Sequence, residues 1–373
     1  MQTSKTILPN QTIGIIGGGQ LGRMMAIAAK YMGYRVVVLD PTPNGPAAQV
    51  SDQQLTAAYH DMEAIEALTE ASDVVTYEFE NVDLKAASYI EQQGKLPQGS
   101  YALEVTQNRE KEKQLMRKLN LPIPNFQIVK SGEECRQAIQ NVSFPAVIKT
   151  CRGGYDGKGQ LKLPSRNAIP AAIDFAEKHS YCIIEEWIPF EKEISVIFTR
   201  SQAGGMEFFP IAENEHKDHI LYRSIVPART SDQVEKQALE AAALIAEEMN
   251  IVGTFAIEMF VDGDSIFINE MAPRPHNSGH YTIEACSVSQ FSQHIRAICG
   301  LPFIPVQLWE HATMVNILGE DIETIQKTIA TSSQGFIHLY GKDEAKPKRK
   351  MGHITYVGNK ITKQLEQLEE AKQ

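Results

Sequence analysis

Along the first hundred positions the apolar residues follow two periods. Residues 12–16, 34–39 and 73–77 are short apolar runs bounded by turn residues, as buried strands are, whereas 21–32 and 61–70 carry apolar positions at helical spacing. Strands alternating with helices predict βαβ units and a parallel sheet, because parallel neighbours need a crossover between them. The segment Pro41-Thr42-Pro43-Asn44-Gly45-Pro46 holds too much proline for either period and reads as a loop at the sheet's edge. A charged helix over 107–119 stops ahead of Pro122 and Pro124, which disfavour helix and suit a join between domains.

Beyond that join the pattern changes. Short β runs at 146–150, 181–185, 193–199, 255–261 and 265–269 are spaced by helical stretches without strict alternation, which is an α+β pattern. After Gly300 and Pro302, strand-like runs at 313–318 and 335–340 and a basic, hairpin-like run at 346–353 make a small β-rich module. The expected organisation is an α/β Rossmann-like domain over 1–106, an α+β domain over 107–300 and a C-terminal module over 301–373. At ~150 residues per domain, 373 residues suit two or three such units.

Composition narrows the class of function. With 43% hydrophobic and 22% charged residues and a mean hydropathy of −0.25, the chain reads as a soluble globular protein. No apolar stretch reaches membrane-spanning length, and the polar start without an apolar signal region predicts a protein that stays in the cytoplasm. Thirty-six basic against 46 acidic residues give a net charge of −10, which repels a phosphodiester backbone, so nucleic acid is not an expected partner. Five cysteines without a C-x-x-C pair are expected to be reduced and mostly buried.

Four groups of residues suggest chemistry. Gly17-Gly18-Gly19-Gln20-Leu21-Gly22 fits G-x-G-x-x-G between a strand and a helix, with Asp40 closing the next strand, as in dinucleotide sites. Its physics is broader, since N–H groups at a helix start bind any phosphate, and the same pattern describes a tight, closely packed turn. A second glycine cluster, residues 152–159, follows the strand ending in Ile148-Lys149. Gln160 rules out a Walker A loop and Lys162 rules out the kinase register. Such a hairpin either closes over a triphosphate, with Lys149 and Lys158 offsetting charge, or is an ordinary surface turn.

The third group is the apolar run Ile183-Ile184-Glu185-Glu186, which leads into Trp187-Ile188-Pro189 and offers main-chain groups to an adenine edge; Glu193 could accept from ribose hydroxyls. The fourth is a pair of carboxylates. Glu258 and Glu270 each interrupt an apolar strand, and Asp262-Gly263-Asp264 makes a turn that would put both on one face of a hairpin. Buried carboxylates repel unless a cation sits between them, and hard oxygen donors beside a triphosphate suit Mg²⁺; otherwise the two are solvated on a strand edge. His216 with His219, and His276 with His280, lack the third ligand of a zinc site. The run Lys346-Pro347-Lys348-Arg349-Lys350 is a solvated turn or a phosphate clamp.

Taken in order, the glycine loop, Glu193, the paired carboxylates and Arg274-Pro275-His276-Asn277-Ser278-Gly279-His280 resemble the ATP-grasp superfamily. Within it the chain is similar to the 5-(carboxyamino)imidazole ribonucleotide synthases of purine biosynthesis. The likeness includes residues 17–24 (GGGQLGRM), 39–45 (LDPTPNG), 78–82 (EFENV), 153–159, 271–280 and 349–353 (RKMGH). It implies an ATP-grasp fold behind a Rossmann-like pre-ATP-grasp domain, a homodimer, and a reaction of ATP, Mg²⁺, bicarbonate and 5-aminoimidazole ribonucleotide through carboxyphosphate.

The resemblance also implies roles for residues. Arg109, Lys149, Gly154, Tyr155, Asp156, Gly157, Lys158, Gly159, Gln160, Glu185, Glu186, Trp187, Ile188, Glu193, His216, Asn269 and Glu270 would contact ATP, and Glu258 with Glu270 would hold the metal. Tyr155, Asp156, Arg274 and Lys348 would be catalytic: Arg274 stabilises the anionic intermediate, and Asp156 orients or deprotonates the amine. Gln20, Glu80, His276, Asn277 and Arg349 would bind substrate, and residues 17–22 would receive the ribonucleotide's 5′-phosphate. Ala272 stands where several other ATP-grasp enzymes place a metal-holding asparagine, so water would replace that ligand. Two rivals remain: the formate-dependent glycinamide ribonucleotide transformylases, whose segment reads RPHDTG in place of residues 274–279, and a nicotinamide-dependent oxidoreductase built on residues 17–22.

Overall fold

The computed structural model describes residues 6–153, 159–331, 335–358, 361 and 365–366. Its first sheet is parallel: β1 (Thr12–Ile16), β2 (Arg35–Leu39), β3 (Gln53–Leu55) and β4 (Val74–Tyr77) lie in the order β3-β2-β1-β4. β1, β2 and β4 are almost wholly apolar because helices cover both faces. The helix Gln20–Tyr31 packs Met25, Ala26 and Ala29 against Ile13, Ile15 and Val36. Ile65 and Leu68 of the helix Met62–Ala71 close the other face against Val37, Leu39 and Val75. The sequence pattern does not reveal the short edge strand β3, since three half-polar residues carry no period.

The second sheet is antiparallel: β5 (Phe126–Val129), β6 (Ala146–Thr150), β7 (Gln160–Leu163) and β8 (Cys182–Glu186) lie in the order β5-β8-β6-β7. Ala172 and Ala176 of the helix Ile169–His179 pack with Ile148 and Ile184. The third sheet has nine strands: β9 (Lys192–Arg200), β10 (Met206–Phe208), β11 (Ala212–Lys217), β12 (Ile220–Val226), β13 (Gly253–Asp262), β14 (Ser265–Ala272), β15 (Ala312–Leu318), β16 (Phe336–Leu339) and β17 (Lys350–Val357). Their order is β14-β13-β9-β11-β12-β15-β17-β16, with β10 beside β9. The long helix Asp232–Glu248 seals this sheet through Ala238, Ala242 and Ile245.

The C-terminal strands form the expected β-rich module and also extend the central sheet, since β12 pairs with β15; Tyr222, Val315 and Ile354 share one buried cluster across that seam. One expectation needs correction. The basic run is not itself a hairpin. Lys346 accepts a main-chain hydrogen bond from Arg349 (3.0 Å) in a turn with Lys348 at φ 65°, and β17 then starts at Lys350 because Met351, Ile354 and Tyr356 bury it. The five cysteines are free and buried, and no described helix is long and apolar enough to cross a membrane.

Candidate active site

A cleft of about 1070 Å³ opens where the three sheets meet. At one end, Glu185 on β8 is 2% exposed and lies between two cations, Lys149 Nζ at 2.6 Å and Lys113 Nζ at 3.1 Å. Burial alone would raise this carboxyl, but the two ammonium groups hold it well below the usual range. Glu186 is engaged from the other side, accepting from Asn125 Nδ2 (2.9 Å) and the Ser143 N–H (3.0 Å). Both carboxylates are therefore committed to protein groups, and residues 186–188 line the cleft beside Phe190 and Phe260, stacked 4.4 Å apart.

The helix Arg109–Lys118 fastens the next element. Met271 donates its N–H to Glu112 Oε1 (2.7 Å), and Lys113 Nζ donates to the carbonyls of Ile268 (3.2 Å) and Asn269 (3.0 Å), so α-helical side chains grip the outer edge of β14. Both residues are almost fully buried, and burial pushes the Glu112 carboxyl up to about 7. A charged helix alone reads as a solvated face, so the sequence reading singles out neither residue. The available signal is the density of charge: consecutive charged positions on one helix cannot all point away from a neighbouring domain.

β13 and β14 carry the acidic pair. Their two-residue turn at Gly263 and Asp264 starts a register that would set Glu258 opposite Asn269, but the ladder slips between Glu258 and Met259, so Asn269 has no partner across it and Glu258 faces Glu270. Such a bulge re-aims a side chain, and Asn269 lines the cleft. Burial and the nearby Glu270 push the Glu258 carboxyl well up. His216 Nδ1 lies 3.0 Å from Glu193 Oε2; although burial opposes its charge, that contact raises the imidazole's pKa. Arg109 Nη1 stands 3.6 Å from Glu270 Oε2.

At the far end Arg274 donates from Nε to Glu80 Oε2 at 2.6 Å. His276 has its Nε2 3.6 Å from Glu258 Oε1 and its Nδ1 2.8 Å from Ser278 Oγ. Burial and then Arg274 push the His276 pKa well down, which leaves the imidazole neutral. Asn277, Gln20, Gln160 and Lys350 also line the cleft. Lys348 points to the rim instead: its side chain is 60% exposed and 3.3 Å from Asp218 Oδ2. Lys342, which no pattern singles out because it follows a strand in a loop without period, donates to the Lys350 carbonyl (2.7 Å). Burial, then the nearby Arg349, push Lys342 down to about 8. Arg349 itself donates to the Glu344 carbonyl (2.9 Å). Gly159 is described but does not line the cleft, and Gly154, Tyr155, Asp156, Gly157 and Lys158 lie outside the described residues.

The N-terminal glycine loop is engaged by carboxylates of the chain itself. Its N–H groups are already donated to carboxylates: Gly18 to Asp40 Oδ2 (2.6 Å), Gly19 to Glu78 Oε1 (2.5 Å) and Gly22 to Glu78 Oε2 (2.6 Å). A Cβ at Gly17, where φ is +112°, would lie 2.2 Å from Glu78 Cγ. The glycines admit a buried carboxylate of the chain itself, so these three N–H groups are committed within the protein, as in a close-packed turn, while Gln20 and Leu21 of the same loop line the cleft.

Comparison with known proteins agrees with this geometry. Family models match the ribonucleotide synthetase preATP-grasp domain at residues 10–107, the ATP-grasp domain at 114–291 and the phosphoribosylaminoimidazole carboxylase C-terminal domain at 312–367. The N5-carboxyaminoimidazole ribonucleotide synthase of Bacillus subtilis is 47% identical over 356 residues, covering 95% of this chain and 93% of that one. A solved N5-carboxyaminoimidazole ribonucleotide synthetase in complex with ADP superposes with a TM-score of 0.95 at 50% identity, over 99% of this chain and 98% of that one. The Aspergillus clavatus synthase, solved with ADP and 5-aminoimidazole ribonucleotide, superposes with a TM-score of 0.90 at 31% identity, over 98% and 99% of the two chains.

Proposed function

The chain belongs to the N5-carboxyaminoimidazole ribonucleotide synthase family of ATP-grasp enzymes, and we propose that it carboxylates 5-aminoimidazole ribonucleotide with ATP and bicarbonate in purine biosynthesis. In this reading it works in the cytoplasm as a homodimer and uses Mg²⁺. One observation carries the assignment: a single cleft joins a nucleotide end, with Lys149 and Arg109, to an anion-binding end with Arg274 and Lys350, and the Glu258–Glu270 pair lies between.

ATP would lie with its adenine along residues 186–188, its ribose hydroxyls on Glu193 and its phosphates near Lys149, Arg109 and Gln160. The raised pKa of Glu258 beside Glu270 fits a site whose repulsion a cation relieves. Mg²⁺ would be held there by the two carboxylates, with phosphate oxygens and water completing its shell, and when bound it offsets charge on the transferring phosphoryl group. The protein's own part is positioning. A bicarbonate oxygen attacks the γ-phosphorus, the new O–P bond forms as ADP leaves, and Arg274 lies ready for the carboxyphosphate anion. The ribonucleotide's exocyclic amine then forms the N–C bond as phosphate leaves, with Asp156 orienting the amine or taking its proton.

The substrate's 5′-phosphate would sit on Lys342, Arg349 and Lys350, in place of the occupied glycine loop. This gives a signed pH dependence. Lys342 is charged below about 8 and loses its proton above it, and a cation is needed to bind the dianion. The KM for the ribonucleotide should therefore be flat near pH 7 and rise between pH 8 and 9, while the KM for ATP stays level; Lys342→Met should be weak and pH-independent. A ribonucleotide KM that is flat through pH 9 would remove Lys342 from the phosphate site.

The assignment itself is tested by phosphate release from MgATP. Release should require bicarbonate together with 5-aminoimidazole ribonucleotide, and formate with glycinamide ribonucleotide should be inert, since Asn277 stands where the transformylase segment has aspartate. Turnover with formate would overturn the reading.

A further inference from the structure

Asn277 lines the cleft at the start of the short helix Asn277–Gly279. Its Nδ2 donates to Asn316 Oδ1 at 3.1 Å, and Asn316 Nδ2 donates to the Leu221 carbonyl at 2.8 Å. A carbonyl only accepts, so Leu221 determines which arm of the Asn316 amide faces it. The other arm, Oδ1, is then an acceptor that position 277 must meet with a donor, which asparagine supplies and aspartate does not. The chain of bonds ends at Asn277 Oδ1, a shielded acceptor with no donor among the described residues. Asn316 itself is 1% exposed in the middle of β15, between the apolar Val315 and Ile317, a position that packing alone would fill with an apolar side chain.

We propose that Asn316 is a positioning residue for the ribonucleotide: by holding the Asn277 amide in one orientation, it presents an acceptor to an N–H or O–H donor of the substrate. An acceptor left unpaired and shielded from water is unfavourable until a donor arrives, and the exocyclic amine and the ribose hydroxyls are donors of that kind. A deprotonated phosphate oxygen is not. The inference rests on the ribonucleotide reading above and adds a reason why this pocket carries asparagine at 277.

The test compares Asn316→Leu, Asn277→Ala and the double variant. The two readouts are ribonucleotide KM from phosphate release and MgADP affinity from calorimetry. Asn316→Leu should raise the ribonucleotide KM about tenfold and leave MgADP affinity within about twofold. In the Asn277→Ala background it should add nothing, because it acts only through Asn277. Asn316→Asp, which keeps an acceptor for Asn277 but puts an oxygen against the Leu221 carbonyl, should fall between wild type and Asn316→Leu and serves if the leucine variant does not fold. An unchanged ribonucleotide KM, additive effects in the double variant, or an equal loss of MgADP affinity would each overturn the proposal. Absence of ribonucleotide-dependent turnover in the wild-type enzyme would instead overturn the function assigned above, and this inference with it.

Discussion

Glu270→Gln should lower turnover by ~10²–10³ at saturating Mg²⁺ while the protein remains folded. The residue faces Glu258 across β13 and β14, and its carboxylate lies 3.6 Å from Arg109. Its side chain is 46% exposed, so the isosteric amide leaves no cavity and buries no new charge. What is lost is one negative charge at the place where a phosphoryl group is transferred, and removing a single charge-stabilising contact of that kind typically raises the barrier by roughly 2.7–4 kcal/mol. Steady-state phosphate release and a thermal melt together make the measurement. Near-normal turnover with an unchanged melt would take Glu270 out of the site.

Arg274 should show a comparable loss with a different signature. Its guanidinium sits on Glu80 at 2.6 Å, with Glu78 and Glu270 also close enough to favour its charge against burial. Arg274→Met would strand the half-buried Glu80 and destabilise the protein, so low activity there would be ambiguous. Arg274→Lys avoids that problem by keeping the charge and losing the planar fork. It should retain a near-native melt and MgADP affinity yet lose ~10²-fold in ribonucleotide-dependent turnover, through the same contact-loss argument. Turnover within about threefold of wild type would mean that Arg274 does not meet the reacting group.

What the amino-acid sequence determines by itself is local. The period switch over residues 12–77 marks strand, helix and strand because each side chain's face follows from its own neighbours. The hairpin that carries Glu258 and Glu270 is legible for the same reason, since Asp262-Gly263-Asp264 marks its turn, but that turn alone would set Glu258 opposite Asn269, and the slip at Asn269 is what brings Glu270 across from it. The family motifs extend that reading along the chain to Lys149, Glu193 and Arg274, which do share one cleft.

What the tertiary structure decides is what covers each face. Glu78 reaches the glycine loop from 56 and 59 residues away and takes the Gly22 and Gly19 N–H groups, so donors of a motif with phosphate-binding form are committed inside the protein. Glu112 and Lys113 are buried only because β14 arrives from some 155 residues downstream to receive them. The pairing of β12 with β15 and the Leu221, Asn316, Asn277 chain depend in the same way on strands far apart in sequence. Periodicity states which residues share a side, but burial, pKa and hydrogen-bond partner depend on the element that packs against that side, and chain closure alone decides which element that is.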